Sequence, residues 1–338
     1  ANDVDLNHPF IATSDMLPEL GNPALDCLQA FIDSLVESGR FDDTRLGVNF
    51  WIEWKHNVLS KVPPAPTGKK RKRQSASDLA LCSLSLFNSN IAHKTVGAMV
   101  KSGVGQHIGV LDLTGISTLT DPVLQQLFET TPNLQRLSVK NCRRLTGKAL
   151  KFISTHTTSL TCLDVGGSYN MSPQDVLEML PHLSRLEELY ASGLGWTDSS
   201  LEQLSMERQW KGLGIGFSIT VTSVGLRNAL ASQHSLERLS LAFCEQAVDA
   251  NLLGFLGRSL TNLSVLDIRG NQNLSSMTSW YDGRVSVEGV APQELFVLAR
   301  YTNIGKGAAE ETKRIHPLQA ANLVCVVDGG GTGEGIRR

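Results

Sequence analysis

Residues 134–150 read LQRLSVKNCRRLTGKAL, and the apolar positions of this stretch recur at a fixed interval along the chain. From the first leucine, apolar or small residues follow at offsets 3, 5, 8, 11 and 15–16. Copies of the pattern start at Ile108, Leu134, Leu160, Leu186, Leu236 and Leu263. The first four starts are each 26 residues apart, and a degenerate copy lies near Gly212. A fixed period of this length predicts an array of small structural units rather than one globular core.

Each copy combines two periodicities, one typical of a strand and one typical of a helix. Residues 134–139 alternate between apolar and polar types, which predicts a short strand with one buried face. Ala149, Leu150 and Ile153 follow at helical spacing and predict a helix with one apolar stripe. Because neither element can bury its apolar side alone, neighbouring copies must stack. The sequence therefore predicts an α/β solenoid of horseshoe shape, with a concave parallel β-sheet and convex helices, preceded by a small helical N-terminal region.

Polar and cysteine residues mark the turns between these elements. Cys142, Cys244 and Asn271 stand at offset 8, where a buried side chain can hydrogen-bond the loop backbone. Residue types that favour a helix N-terminus follow the turns. They are Thr120, Asp121, Thr146, Ser172, Pro173, Thr197, Asp198 and Asp249. The turn residues, the caps and the apolar period thus predict the same elements.

These signals resemble the leucine-rich repeats, and most of all their cysteine-containing subtype. The resemblance covers residues 108–275 and rests on three stretches. They are Leu137-x-Val139-x-x-Cys142-x-x-Leu145-Thr146, Leu239-x-Leu241-x-x-Cys244-x-x-Ala247-Val248-Asp249 and Leu119-Thr120-Asp121. Proteins of this subtype are mostly F-box/leucine-rich-repeat subunits of SCF ubiquitin ligases and their F-box-less relatives. The resemblance implies a non-enzymatic receptor that selects a protein substrate for ubiquitin-dependent degradation.

One repeat departs from this family pattern, and the functional class has an alternative. The copy at Gly212-Leu-Gly-Ile-Gly lacks consensus leucines, which predicts a bend or an irregularity there. The alternative to a ligase receptor is a nuclear scaffold, or a DNA-repair or chromatin-associated adaptor, without a ligase link.

Residues 1–60 carry a different, helical pattern. Apolar residues from Leu25 to Val36 fit one face of a helix, and Trp51 and Trp54 lie on a second predicted helix that runs to Leu59. This region is either an independent module or a cap on the repeats. The stretch Leu17-Pro18-Glu19-Leu20, together with these helices, is similar to an F-box, although its spacing to Trp54 is longer than the family's. An F-box would bind an SCF adaptor and, through it, a cullin.

A linker of residues 61–78 separates these helices from the repeats, because it combines prolines with glycine, serine and a basic run. The basic residues are Lys69, Lys70, Arg71, Lys72 and Arg73. An exposed run of this kind is typical of a signal that a nuclear-import receptor binds, and a solvated charge run is the alternative. Direct contact with nucleic acid is disfavoured, because no aromatic residue is interleaved for base stacking.

Composition excludes several broad classes for this chain of 338 residues. A hydrophobic content of 41% and a net charge of −2 exclude wholesale disorder and give no electrostatic reason to expect nucleic acid. No apolar run is long enough to span a membrane. Six cysteines without a C-x-x-C pair indicate a reducing compartment, so we expect the nucleus, the cytoplasm or both. The start at Ala1, without a signal peptide, suggests a fragment or a processed chain.

No motif for catalysis is present, so we expect no enzyme, no cofactor and no metal site. H-E-x-x-H, G-x-S-x-G and Walker sequences are all missing from the chain. The end of the chain, Asp328-Gly-Gly-Gly-Thr332, resembles the phosphate-binding turn of actin-like sugar kinases. The large ATPase fold of that family does not follow it. We therefore predict a repeat region over residues 79–327 and a Gly-rich tail over residues 328–338.

The predicted binding surface is the concave wall, where strand residues at offsets 2, 4, 6 and 7 point away from the core. Charges of both signs and exposed aromatic rings beside arginine are typical of protein interfaces. The candidate contact residues are Arg136, Lys140, Asp164, Glu188, Tyr190, Arg238, Phe243 and Arg269. Mixed signs argue against a phosphate backbone as the main ligand, so a protein partner is predicted.

Overall fold

The computed structural model describes residues 23–39, 41, 43–59, 82–285, 294–316, 320 and 323–327. The chain divides into two compact units. The first unit comprises Ala1–Met171 with Met179–Leu186, and the second comprises Ser172–Glu178 with Glu187–Arg338. Both units alternate short parallel strands with helices, which confirms the predicted α/β leucine-rich-repeat fold.

The first unit begins with two helices and continues with strand–helix repeats. Its elements are α1 (Pro23–Glu37), α2 (Val48–Leu59), β1 (Cys82–Ser85), α3 (His93–Ser102), β2 (Ile108–Asp112), α4 (Asp121–Phe128), β3 (Arg136–Ser138), α5 (Gly147–His156) and β4 (Cys162–Asp164). The strands pair in parallel and in chain order. In the predicted repeat region, β1 and α3 are the first described strand and helix.

The second unit continues the same alternation to the last described strand. Its elements are α6 (Pro173–Met179, whose last residue falls in the first unit), β5 (Glu188–Tyr190), α7 (Asp198–Glu207), β6 (Gly212–Gly214), α8 (Ser223–Leu230), β7 (Arg238–Ser240), α9 (Ala250–Ser259), β8 (Val265–Asp267), α10 (Thr278–Val285), β9 (Leu295–Leu298), α11 (Lys306–Ile315) and β10 (Leu323–Val326). Strands β5 to β10 also pair in parallel and in chain order.

The period of 26 residues becomes a ladder of buried leucines. Leu111 pairs with Leu137 and Leu137 pairs with Leu163 across neighbouring strands, and all three are fully buried. The helix that follows each strand supplies the other half of the core, as Ala149, Leu150 and Ile153 do in α5. Since every strand contributes only about three residues, the apolar contacts between successive repeats hold each unit together.

In several repeats the residue at offset 8 ties the turn to the preceding repeat. The Cys142 thiol donates to the Leu113 carbonyl at 3.0 Å, and the Asn271 amide donates to the Leu241 carbonyl at 2.9 Å. Ser168 has the same role in its own repeat, with its hydroxyl 3.1 Å from the Val139 carbonyl. These bonds confirm the predicted function of the turn residue, which satisfies a buried carbonyl that water cannot reach.

The residue just before this turn position adopts a left-handed backbone in nine repeats of the described chain. These residues are Asn88, Gly115, Asn141, Gly167, Gly193, Phe217, Phe243, Gly270 and Tyr301. Glycine and asparagine tolerate this conformation, whereas a bulky L-residue in it costs about 1–2 kcal/mol. The three aromatic residues are therefore exceptions that turn geometry alone does not favour.

Helices α1 and α2 cover the first repeat. The side-chain amide of Gln29 donates to the Ser85 carbonyl at 2.9 Å and accepts from the Ser85 backbone N–H at 3.2 Å, so it pairs with the outer side of β1. Trp51 and Trp54 are fully buried. Lys55 donates to the Ser102 carbonyl at the end of α3. These contacts protect a strand edge that would otherwise be open to pairing with another chain.

Asp43, in the loop between α1 and α2, caps helix α3. Its carboxylate accepts from the backbone N–H groups of Ala92 at 2.6 Å, Lys94 at 2.8 Å and Thr95 at 3.0 Å. Burial alone would raise the pKa of the Asp43 carboxyl, but these backbone donors outweigh it and hold the pKa below its ordinary value. A side chain far away in sequence thus does the work of an N-cap.

The predicted irregularity at the glycine-rich repeat is wrong at the level of strand pairing. Gly212 pairs with Glu188 on one side and with Arg238 on the other, in the same register as the other strands. Leu213 and Ile215 are buried and keep the core continuous. The missing side chains are instead on the opposite side of β6, where they make room for a neighbour described below.

Candidate binding surface

The strand face of the second unit, defined as the side of β5–β10 opposite the core leucines, consists of rows that run across the strands. One row contains Glu188, Gly212, Arg238, Val265, Phe296 and Val324. The next contains Tyr190, Gly214, Ser240, Asp267, Leu298 and Val326. Strands β5 to β7 and Asp267 of β8 thus supply a polar end, and Val265 of β8 together with β9 and β10 supplies an apolar end.

An ion pair spans three strands at the polar end. Arg238 Nη1 lies 3.2 Å from Glu188 Oε1, although β6 runs between the strands that carry these residues. The pair can form because Gly212, which stands between them, has no side chain. Both side chains are largely buried, so water screens the attraction between the charges less than in an exposed ion pair of the same length.

Tyr190 lies over the same glycine-rich strand. Its hydroxyl donates to Glu188 Oε2 at 3.0 Å. A Cβ added at Gly212 would stand 2.7 Å from the Tyr190 hydroxyl oxygen, and one added at Gly214 would stand 2.7 Å from the ring carbon Cδ1. Such distances are shorter than any real carbon contact, so the ring occupies the space that two side chains would fill. Gly212 and Gly214 are therefore needed as glycines because Tyr190 occupies the space beside them.

Aspartates at the ends of strands belong to the turns. Asp164 accepts from the Gly166 backbone N–H at 2.9 Å, and Asp267 accepts from the Arg269 backbone N–H at 3.2 Å. Arg269 also donates from Nε and Nη2 to the two oxygens of Asp267, at 2.8 and 2.7 Å. This two-point geometry fixes the guanidinium beside the end of β8.

The candidate contact residues divide by exposure. Four of them are buried, contrary to the prediction that they face a partner directly: Arg136, Asp164, Glu188 and Tyr190. Tyr190, expected as an exposed ring, is only 4% exposed. The prediction of exposure failed because parallel strands about 5 Å apart let large side chains cover one another. Lys140, Arg238 and Arg269 are half-buried, and Phe243 is exposed.

A pair of stacked aromatic rings stands at the edge of the strand face. Phe217 and Phe243 are 54% and 38% exposed, and their ring centroids are 4.5 Å apart at an interplanar angle of 18°. Both are left-handed residues at equivalent turns. Sequence reasoning identified Phe243 but missed Phe217. The signal that could have found it is the offset-7 position, which elsewhere in most repeats contains glycine or asparagine.

Four cysteines, Cys82, Cys142, Cys162 and Cys244, are buried in the core, whereas Cys325 is half-buried. Burial raises the pKa of the Cys82 and Cys142 thiols to about 12 and that of the Cys244 thiol to about 11. A thiol that resists ionisation is a poor nucleophile and a poor metal ligand. No group of three or more His, Cys, Asp or Glu residues in the described part of the chain is arranged to hold a metal ion.

Several predicted features lie outside the described residues. They are the F-box-like stretch Leu17-Pro18-Glu19-Leu20, the linker of residues 61–78 with its basic run at residues 69–73, and the Gly-rich tail at residues 328–338. Among the helices that the structure describes, none combines the length and the apolar character needed to cross a bilayer.

Comparison with known proteins places the fold in one class. No protein-family model matches the chain. The leucine-rich-repeat-containing protein LegL7 from Legionella pneumophila is 16% identical, with a TM-score of 0.53, over 75% of this chain and 87% of that one. Rad7, in a crystal structure of the yeast Rad7–Elc1 complex, is 15% identical, with a TM-score of 0.53, over 85% of this chain and 60% of that one. These similarities, together with the strand–helix repeats, show that the chain has the leucine-rich-repeat fold.

Proposed function

We propose that this chain is a non-enzymatic protein-recognition subunit, and more specifically a substrate receptor for SCF-type ubiquitin-dependent degradation. The observation that carries the proposal is the presence of two separate kinds of surface. One is the strand face of the second unit, where arginines and aromatic rings stand on a rigid sheet. The other is on α1 and α2, where Phe31 and Ile52 are exposed. A receptor needs one surface for its substrate and another for the ligase.

The exposed apolar side chains on α1 and α2 support a contact with an adaptor. Phe31 packs against Phe50, with ring centroids 6.1 Å apart, and about half of its surface remains open to solvent. Ile52 lies on α2 and is similarly exposed. Large apolar residues that stay exposed on helices otherwise packed by tryptophans are candidates for an interface. The similarity to Rad7, which was crystallised with Elc1, is compatible with such a two-protein arrangement.

The test uses the full chain, because α1 and α2 bury Trp51 and Trp54 and their deletion would expose the first repeat. Tagged wild type is compared with a variant carrying Phe31→Asp and Ile52→Glu, and the bound proteins are identified by mass spectrometry. The matched control is Met206→Glu, which places a charge at an exposed apolar position on α7. Cullin and adaptor recovered with wild type and the control, but not with the double variant, would support the proposal. Their absence from wild type would refute the ligase link.

The contacts of α1 and α2 with the first repeat favour a second candidate function. Gln29, Asp43 and Lys55 bind the backbone of that repeat, as a cap would. We therefore also propose a nuclear scaffold, or a DNA-repair or chromatin-associated adaptor, without a ligase link, in which these helices only close the array. Neutralising residues 69–73 would then abolish nuclear import of a fluorescent fusion while leaving α1 and α2 unchanged. Unaltered localisation would contradict the nuclear-import signal.

A further inference from the structure

The geometry points to a specific peptide site on the second unit: the aromatic pair Phe217–Phe243, with Arg269 at the end of the next strand and Arg300 one strand further, binds an acidic peptide segment through an apolar side chain. This inference rests on the proposed function, because it requires that the chain recognise a protein. It names the chemistry of that partner and the residues that would contact it.

The backbone conformation at Phe217 and Phe243 indicates that the turn itself does not require aromatic residues at these positions. Asn88, Asn141 and several glycines occupy the equivalent left-handed position, and those residue types adopt it readily. Phe217 and Phe243 have φ values of +56° and +57° instead. Bulky residues held in this region are found mostly where the surrounding structure or a ligand requires them.

The rings also stand in a defined arrangement. Phe217 stacks on Phe243, and a Cβ added at Gly270 would overlap the ring of Phe243. The ring of Phe243 therefore lies over the next turn, and position 270 in that turn has to be glycine. Two rings held in this way form a small, preorganised apolar platform, so little conformational entropy is lost when a ligand binds. Ile219, 75% exposed and two residues after Phe217, extends the apolar surface.

The charges next to the platform favour an acidic ligand. Three arginines belong to the strand face and its edge: Arg238, Arg269 and Arg300. Two carboxylates on that face, Glu188 and Asp267, are each paired with one of them. Arg300 follows β9 at the position equivalent to Arg269, as shown by the Gly270 backbone N–H bond to the Arg300 carbonyl at 3.0 Å. Among the described residues in the two rows and at the strand ends that follow them, these three arginines thus stand against two carboxylates, and Arg300 can pair with an acidic side chain of a ligand.

The apolar end of the same face would receive the rest of the peptide. Val265, Phe296 and Val324 stand in one row beyond Arg238, and Val324 is exposed. A segment that crosses the strands from Phe217 toward β10 would meet apolar, cationic and again apolar groups. The expected ligand is therefore an extended peptide with two apolar residues that flank at least one aspartate or glutamate.

The experiment measures binding of full-length protein to synthetic peptides by fluorescence anisotropy. One set contains central Leu or Phe anchors flanked by Glu, a second has Lys in place of Glu, and a third has Ser in place of the anchors. Wild type is compared with the double variant Phe217→Asn and Phe243→Asn. Asparagine suits the left-handed turn, so the thermal unfolding temperature of this variant is expected to be unchanged or higher. Met206→Asn is the matched control for the loss of an exposed apolar side chain.

Supporting results are preference for the acidic anchored peptides, loss of about tenfold or more in affinity in the double variant, and unchanged binding by the control. Arg300→Glu should reverse the preference toward the Lys peptides, whereas Arg258→Glu on α9 makes the same change in net charge and should not. Equal binding of all peptide sets, or full binding by the double variant, would overturn this site. A single-stranded oligonucleotide or a second copy of the chain held through the same rings would also overturn it.

These outcomes are distinct from failure of the proposed function. If the wild-type chain captures cullin and adaptor while the peptide site fails, the receptor function stands and its substrate binds elsewhere. If no protein complex forms but acidic anchored peptides still bind through the two rings, the ligase link fails and the peptide site remains.

Discussion

Arg238 and Glu188 form an ion pair across an intervening strand, and they can do so only because Gly212 lies between them. Nη1 and Oε1 are 3.2 Å apart, although the two residues are carried by β7 and β5. The same glycine provides space for the Tyr190 hydroxyl, which donates to the other oxygen of the carboxylate. Four residues on three strands therefore form one interdependent group.

A side chain at Gly212 should disrupt this group. Gly212→Ala places a Cβ 2.7 Å from the Tyr190 hydroxyl oxygen and 3.0 Å from Glu188 Cγ, so we expect the free energy of unfolding to fall by about 1–3 kcal/mol. Urea denaturation would measure this change. Tyr190→Phe, which removes the oxygen in the way, should recover part of the loss. The control is Gly97→Ala in α3, where nothing lies within 4 Å and we expect a gain of about 0.5–1 kcal/mol. A neutral Gly212→Ala would contradict the close packing.

Removing only one partner of the ion pair should destabilise the protein more than removing both. Arg238→Ala removes this cation from the buried Glu188 carboxylate, to which Tyr190 still donates, and we expect a loss of about 1–3 kcal/mol. In the double variant Arg238→Ala and Glu188→Ala the uncompensated charge is gone. A double-mutant cycle by chemical denaturation measures the coupling. If the two single losses simply add, the pair contributes nothing of its own.

The Asp43 cap predicts a dependence of stability on pH. The folded state lowers the pKa of this carboxyl, so the cap contributes fully above the ordinary aspartate value of about 4. Its contribution is lost as the pH falls through the lower folded-state pKa. Asp43→Ala should cost about 1–2 kcal/mol at pH 7. The difference in unfolding free energy between wild type and Asp43→Asn, measured from pH 7 to pH 2, should shrink at the acid end. A constant difference would refute the charged cap.

The buried thiols should resist labelling while the protein is folded. Because burial raises the pKa of Cys142 to about 12, its thiolate is scarce at pH 8, and its Sγ is bonded to the Leu113 carbonyl. Site-resolved mass spectrometry after iodoacetamide treatment should find Cys142 unmodified in buffer and modified in denaturant. Cys325, which is half-buried, serves as an internal comparison and should react before Cys142. Rapid native labelling of Cys142 would contradict the fold around it.

Periodicity in the sequence was sufficient to predict the fold, because each repeat reports its own strand, turn and helix. The leucine ladder, the hydrogen bonds of Cys142 and Asn271, and the helices at Pro23–Glu37 and Val48–Leu59 are confirmed. Side-chain exposure could not be read in the same way. Whether Tyr190 faces solvent depends on the glycines of another strand, and whether Phe217 has a partner depends on a ring in the next repeat.

The Asp43 cap was also beyond the reach of sequence patterns. A local N-cap lies directly before its helix, as Thr146 and Asp249 do, and can be predicted from its position. Asp43 lies 49 residues before Ala92, and no periodic signal connects the two. Contacts of this length are decided by packing between elements, which one sequence does not display.

The hydrogen bonds of the turns imply an order in which the repeats are completed during synthesis. The Leu113 carbonyl accepts a hydrogen bond from the thiol of Cys142, which lies 29 residues later in the chain. The Val139 carbonyl accepts one from the hydroxyl of Ser168 in the same way. On the ribosome, the turns after Leu113 and Val139 would therefore lack these donors until the next repeat had emerged. The first repeat has a different need, since its outer strand is completed by Gln29, which is made before it. Synthesis from the N-terminus would thus supply α1 before the first repeat, and each later turn residue of this kind would then complete the hydrogen bonding of the repeat before it.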